Sequence, residues 1–332
     1  MNVAINGFGR IGRQAFKAGW GRKNFNLVAI NDLTDTKTLA LLLQYDTAYH
    51  KWNHEVTYDE KNIIVDGTKV PVFASKDPSV LPWKDLQVDV VIESTGKFTS
   101  EEGARTHITA GAKKVVLSAP GKSGNIPTYV LGVNEEELKN EKAVVINNAS
   151  CTTNSLAPVM AVLNEKFGVV KAMMSTVHGY TNDQNLQDGP HKDLRRARAA
   201  AENIIPTTTG AAIAVTEVLP DLQGKFDGIA LRVPVPVVSL SDITVVLSKK
   251  TTAEEINATL TEASKSEKLK GILAVTNEPL VSSDFVGNTA SGTVDLSLTK
   301  VLGGDMAKVI VWYDNEMGYS IRLVEMVEKF GA

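Results

Sequence analysis

The chain contains a single cysteine, Cys151, within the run NNASCTTNSLAP at residues 147–158. It follows the apolar run AVVIN and opens a helix-forming stretch, so the pattern predicts a thiol at a helix start. Ser150 is a good N-cap, and Thr152 and Thr153 are typical of a first turn. The partial positive charge and unpaired N–H groups of a helix start favour the thiolate, which is the nucleophilic form. Such a thiol needs a base. Five histidines are available: His50, His54, His107, His178 and His191. His178 ends the long apolar run VVKAMMSTVHG, a rigid location, and an imidazole beside the thiol can hold an ion pair and then act as base and acid. Two plainer readings stand beside this one. A lone cysteine is among the most often buried residue types, and a strand-end histidine can be a satisfied core side chain.

A second constellation lies at the other end of the chain. NGFGRIGR places Gly7, Gly9 and Gly12 in the G-x-G-x-x-G spacing, after an apolar strand-like run and at the start of a helical one. Asp32 follows Gly12 by twenty residues, at the end of a second strand-like run. That context turns a weak glycine pattern into a dinucleotide fingerprint. The first glycine allows a tight turn, the second lets backbone approach a pyrophosphate, and the third permits close helix–strand packing. The helix start offers N–H groups to the phosphates. A carboxylate at Asp32 accepts hydrogen bonds from ribose hydroxyls and repels a 2′-phosphate, so NAD is expected over NADP. The plainer reading is a glycine-rich turn in an α/β domain without a ligand.

The elements that position these groups follow from periodicity. NVAIN, NLVAIND, VDVVIES, KKVVLSA and AVVIN read as strands apolar on both faces. RIGRQAFKAGW reads as a helix, and helical or polar segments such as SEEGARTHITAG separate the later strands. Such alternation predicts a Rossmann-type, doubly wound parallel sheet over residues 1–150. In NIIVDGTKVPVFA two β-rich runs flank Asp66-Gly67, a hairpin signal. After Cys151 the texture changes to long alternating runs, as in FDGIALRVPVPVVSLSDITVVLS, which predict an α+β catalytic domain with a mostly antiparallel sheet over 151–315. The amphipathic NEMGYSIRLVEMVEKF is expected to form a C-terminal helix, 316–332, that returns to the first domain. A length of 332 residues fits two domains. The net charge of −3 and pI near 6.0 give no general attraction to nucleic acid or anionic membrane. One cysteine excludes an intrachain disulfide framework and leaves too few thiols for a zinc or iron–sulfur cage. With no basic, apolar leader at the start, a cytoplasmic location is expected.

The motifs INGFGRIGR, NDLTD, ASCTTN, TVHGYTNDQ, HKDLRRARAAAENIIPTTTGAA, LRVPVPVVS and WYDNEMGYS occur in this order across essentially the whole chain. Together they closely resemble phosphorylating glyceraldehyde-3-phosphate dehydrogenase of the bacterial and eukaryotic type. The resemblance implies Cys151 as nucleophile and His178 as base, with NAD as hydride acceptor and a thioester that inorganic phosphate cleaves. It implies that Thr181 and Arg232 line a site for the phosphate of glyceraldehyde 3-phosphate. It implies a second anion site at Ser150, Thr152, Thr209, Gly210 and Arg196, although spacing alone does not separate Arg195, Arg196 and Arg198. Beside the glycines and Asp32, it implies cofactor contacts from Arg10, Ile11, Lys76, Ser118, Asn315 and Tyr319. It also implies a homotetramer in which the segment Tyr180–Asn203 reaches toward a neighbour. The chain departs from the pattern at Lys76, where Arg is common, at Ser155, where a second cysteine is frequent, and at Gly179, Val235 and Val237. Alternatives are erythrose-4-phosphate dehydrogenase, an aspartate-semialdehyde type of dehydrogenase, and a non-catalytic NAD-binding regulatory or adhesion protein.

Overall fold

The computed structural model describes all residues, Met1–Ala332, and the chain divides into two compact units. The first comprises Met1–Tyr129, Glu136–Ala149 and Ser320–Ala332; the second comprises Val130–Glu135 and Ser150–Tyr319.

The first unit begins with β1 (Asn2–Asn6), α1 (Arg10–Gly19), β2 (Asn26–Asn31) and α2 (Thr36–Gln44), followed by a two-stranded ribbon, β3 (Tyr45–Asp46) and β4 (His50–Lys51). Next come β5 (Val56–Tyr58), β6 (Asn62–Val65), β7 (Thr68–Phe73), β8 (Val90–Glu93), α3 (Glu101–Thr109), β9 (Lys114–Leu117) and β10 (Val145–Asn147). The sheet order is β10-β9-β8-β1-β2-β7-β6-β5. From β10 to β7 every pair is parallel, and β7, β6 and β5 pair antiparallel. The Asp66-Gly67 turn joins β6 to β7, with φ of 49° and 80° at its two residues, as a tight hairpin requires. Every residue of β8 and β10 is buried, which is why these strands read as unbroken apolar runs. Trp83, Val88, Val91, Ala104 and Val115 share one core cluster on this sheet.

The second unit carries α4 (Cys151–Phe167), β11 (Val169–Gly179), β12 (Ile205–Thr208), α5 (Ala211–Val218), β13 (Phe226–Val233), β14 (Ser239–Leu247) and α6 (Ala253–Lys265). It continues with β15 (Leu273–Thr276), β16 (Gly292–Asp295), β17 (Lys300–Leu302) and β18 (Met306–Tyr313). The sheet runs β12-β13-β11-β14-β18-β16-β15, with β17 paired to β18. It is mostly antiparallel, but β11–β13 and β15–β16 are parallel pairs that alternation alone could not reveal. Burial alternates strictly along β14, the mark of a sheet with one covered face.

The last helix, α7 (Met317–Gly331), buries Leu323, Val324, Met326, Val327 and Phe330. Its Glu328 pairs with Arg22 at 2.7 Å, and Lys114 Nζ donates to the Phe330 carbonyl at 2.5 Å. Ile321 and Glu328 are half-buried at the edges of this apolar face.

Candidate active site

Strand register assembles the centre of the site. His178 on β11 stands opposite Arg232 on β13 and opposite Ser239 on β14, and Ser239 in turn stands opposite Tyr313 on β18. One row across four strands therefore holds four polar side chains. The start of α4 brings Cys151 to this row, with its Sγ 3.5 Å from His178 Nε2. Ser150 caps the helix by accepting from the Thr153 N–H at 3.0 Å. Ala149, just before the cap, has a left-handed φ of 52°, and its N–H donates to Asn147 Oδ1 at 2.9 Å. Holding a residue with a Cβ in that region costs about 1 kcal/mol.

The histidine's tautomer follows from its partners. Nδ1 donates to the Gly179 carbonyl at 2.6 Å, so Nε2 carries the lone pair that faces the thiol. Arg232 Nη1 lies 3.3 Å from Nδ1 and donates to Thr181 Oγ1 at 2.8 Å. Burial first, and the Arg232 charge second, push the imidazole down to about 3, leaving Nε2 a free acceptor at neutral pH. Helix position alone favours a thiolate. Here burial outweighs it and pushes the Cys151 thiol up, opposed first by the Arg232 charge and then by hydrogen bonds from Thr152. The free protein thus presents a thiol to a neutral imidazole, an arrangement suited to removing the proton as the sulfur attacks.

The expected anion-site residues lie around this pair. Arg232 Nε is buried with no hydrogen-bond partner, a directed charge with unused donor capacity. Thr181 Oγ1 also donates to Asp183, and Asp183 accepts from Arg196 Nη1 at 2.5 Å. Arg196 Nε donates to Thr207 Oγ1 at 3.0 Å, and Nη2 donates to the Thr208 carbonyl at 3.3 Å. By contrast, Arg198 pairs with Asp188 at 2.9 Å and is exposed, which separates it from Arg196 as spacing could not. Thr153 Oγ1 donates to the Ala211 carbonyl at 3.5 Å, tying the start of α4 to that of α5. Gly210 is the N-cap of α5 and supplies no side-chain cap, the first turn has no acidic residue, and Thr209 Oγ1 accepts from the Ala211 N–H at 3.2 Å. Ser150, Thr152, Thr209 and Gly210 therefore sit at two tied helix starts, a natural place for an anion. Thr152 Oγ1 is bonded to Tyr313 OH at 2.8 Å, which also meets Thr176 Oγ1 at 2.8 Å.

Asp183, Tyr313 and Ser239 were not singled out by the sequence. Ser239 accepts from the Gly179 N–H at 3.2 Å and donates to Asn315 Oδ1 at 3.1 Å, fixing the Asn315 amide; Tyr319 is buried. Gly179 has a steric reason in this chain, because a Cβ there would lie 2.8 Å from the Val235 carbonyl oxygen.

In the first unit the glycine loop fits a dinucleotide. Gly7 has φ 92°, and a Cβ on it would meet Thr95 N at 2.7 Å; a Cβ on Gly12 would meet the Gly7 carbonyl oxygen at 2.1 Å. A Cβ on Gly9 would meet nothing within 4 Å, so protein packing does not explain that glycine. Helix α1 has no side-chain cap and no acid in its first turn, which leaves its start to an anion. Asp32 Oδ2 accepts from the Phe8 N–H at 2.7 Å and so sits against the loop. Arg10 pairs with Asp46 at 2.5 Å, Ile11 is half-buried, Ser118 N–H donates to the Glu93 carbonyl at 2.9 Å, and Lys76 is exposed. These facts separate two substitutions. Gly9→Ala should keep the melting temperature within a few degrees while weakening dinucleotide binding at least about tenfold. Gly12→Ala should lower both, and thermal melting with equilibrium NAD titration reads the difference.

Comparison with known proteins agrees with both halves. Residues 1–101 match the family model described as the glyceraldehyde 3-phosphate dehydrogenase NAD binding domain, and residues 150–315 match its C-terminal domain. The chain is 54% identical over 326 residues to glyceraldehyde-3-phosphate dehydrogenase of Geobacillus stearothermophilus, covering 98% of this chain and 97% of that one. It is 57% identical over 328 residues to that of Thermotoga maritima, covering 98% of each. Two units with the matching motifs, a dinucleotide cradle and a Cys151–His178 pair, together with these matches, place the chain in the glyceraldehyde-3-phosphate dehydrogenase family.

Proposed function

We propose that the protein oxidises D-glyceraldehyde 3-phosphate with NAD and inorganic phosphate to 1,3-bisphosphoglycerate, in glycolysis and gluconeogenesis. The observation that carries this reading is the Cys151 thiol 3.5 Å from an imidazole acceptor, with Arg232 and Thr181 beside it.

The substrate phosphate binds Thr181 and Arg232, whose Nε–H is unused inside the protein. Cys151 Sγ attacks the aldehyde carbon as Nε2 of His178 takes the thiol proton, and a thiohemiacetal forms. The imidazolium and the Cys151 backbone N–H stabilise the oxyanion. The imidazolium then gives its proton to the oxyanion, which becomes the thiohemiacetal hydroxyl, and His178 takes that proton again as the C–H hydride leaves. NAD, held by Gly7, Gly9, Arg10, Ile11, Gly12 and Asp32, with further contacts from Lys76, Ser118, Asn315 and Tyr319, supplies the hydride acceptor. The carbon is then a thioester on Cys151. Phosphate held by Ser150, Thr152, Arg196, Thr209 and Gly210 attacks it, forming the acyl phosphate and releasing the sulfur. Hydroxyl and backbone donors hold this phosphate without withdrawing its nucleophilicity as a metal would, and Arg196 orients it.

We also read the protein as a homotetramer. Met173, Ile213 and Met306 are exposed around one shallow cavity of the second unit, and Leu186, Leu194 and Ile204 stand exposed on and beside the 180–203 segment. Apolar surface of this extent fits contact with further copies. A cytoplasmic location agrees with the metabolic reading. No helix is long and apolar enough to cross a membrane.

The test is NADH formation from glyceraldehyde 3-phosphate with and without inorganic phosphate. Turnover is expected only with phosphate. Multiple turnover without it, or faster use of erythrose 4-phosphate, would remove the phosphorylating reading.

A further inference from the structure

Three neighbouring strands of the first unit end on buried polar side chains: Asn31 on β2, Asn6 on β1 and Glu93 on β8. None of the roles assigned above uses Glu93. A carboxyl buried in a core is costly unless donors surround it, and here donors converge on both of its oxygens. Oε1 accepts from the Thr95 N–H at 2.8 Å and from the Thr95 hydroxyl. Oε2 accepts from Asn6 Nδ2 at 2.5 Å and lies 3.0 Å from His107 Nε2. The indole of Trp83 sets the tautomer of that histidine: its Nε1–H donates to Nδ1 at 3.0 Å, so Nε2 bears the proton that points at Glu93. Both side chains of the Glu93–His107 pair have 0% exposure.

On the other flank, Asn6 Oδ1 accepts from Asn31 Nδ2 at 2.7 Å, and Asn31 Oδ1 accepts from the Ser75 N–H at 2.9 Å. A polar belt thus runs beneath the strand ends, from Ser75 to Trp83, with Glu93 near its middle. Two loops rise from it. Gly7 follows Asn6, Thr95 follows Glu93 by two, and the loops touch so closely that a Cβ on Gly7 would sit 2.7 Å from Thr95 N. Ser94 Oγ joins them by donating to the Gly7 carbonyl at 2.6 Å, and Thr95 Oγ1 accepts from the Lys97 N–H at 3.1 Å. In an open α/β sheet the ligand crevice lies beyond the strand ends where connection order reverses, here between β1 and β8.

We propose that Glu93, backed by His107 and Trp83, is a positioning residue that fixes the Gly7–Gly9 loop against the Ser94–Gly96 loop. It thereby sets how tightly NAD is held, without touching the reacting atoms. The proposal rests on the NAD reading of the first unit. Glu93→Gln keeps the size but turns one acceptor into a donor facing other donors, so two of the four hydrogen bonds are lost.

The experiment measures NAD affinity by calorimetry, melting temperature, and steady-state kinetics on the full chain. Glu93→Gln should raise both the Kd and the KM for NAD about tenfold or more, while kcat at saturating NAD and the KM for glyceraldehyde 3-phosphate stay within about twofold. Trp83→Phe, which removes the N–H that orients His107, should shift NAD affinity in the same direction by less, and it serves if Glu93→Gln fails to fold. A folded variant with lowered melting temperature but unchanged NAD affinity would reduce the belt to core structure and overturn the proposal. A parent chain that binds no NAD would instead overturn the cofactor reading.

Discussion

Cys151→Ser is expected to abolish turnover, with kcat falling on the order of 10⁴-fold or more, while NAD affinity stays near that of the parent. A serine hydroxyl is far less acidic than a thiol, and the neutral His178 that suffices for Cys151 cannot make it an equivalent nucleophile. The dinucleotide cradle is built from other residues, and so equilibrium titration with NAD should not see the change. Retained turnover would refute the nucleophile assignment. Because Cys151 is the only cysteine, loss of activity on alkylation can be assigned to it alone. Ser155, one turn along α4, offers no second thiol, and its hydroxyl donates back to the Thr152 carbonyl at 3.0 Å.

The second large effect concerns the residues that control the thiol. His178→Asn removes the acceptor 3.5 Å from Sγ and should lower kcat about 10²- to 10⁴-fold. Arg232→Gln should act on the sulfur as well as on substrate binding. The Arg232 charge favours the thiolate and disfavours the imidazolium, so it holds both groups down. Removing it lets the Cys151 thiol rise further and His178 move back up toward its ordinary value. The pH profile of iodoacetamide alkylation in the cofactor-free protein should therefore shift to higher pH in Arg232→Gln. A shift to lower pH would mean that the guanidinium does not govern this thiol.

How much of this was legible in advance depends on how local each signal is. The glycine loop, Asp32, the N-cap Ser150 and the thiol at a helix start are short-range patterns, and the order of strands and helices in the first unit follows from periodicity. The row Arg232–His178–Ser239–Tyr313 is not local. It exists because four strands distant in sequence pair in one register, and a shift by one residue would turn each side chain to the other face. Tyr313 and Ser239 therefore read as ordinary strand residues until that register is known. The belt around Glu93 was hidden for a similar reason, since Asn31, Asn6, Glu93 and His107 come from elements far apart in sequence. Helix position, which favours the thiolate, is visible in sequence, whereas the burial that pushes the Cys151 thiol up comes from tertiary packing.

In the proposed mechanism a thioester forms on Cys151 and waits for phosphate. The most direct measurement mixes the protein with NAD and glyceraldehyde 3-phosphate in phosphate-free buffer, follows NADH, and then examines the Cys151 peptide by mass spectrometry. A burst of NADH no larger than the concentration of active sites is expected, with an acyl adduct on Cys151 and release of that adduct, with renewed NADH formation, when phosphate is added. Steady NADH production without phosphate, or an adduct on any other residue, would contradict it.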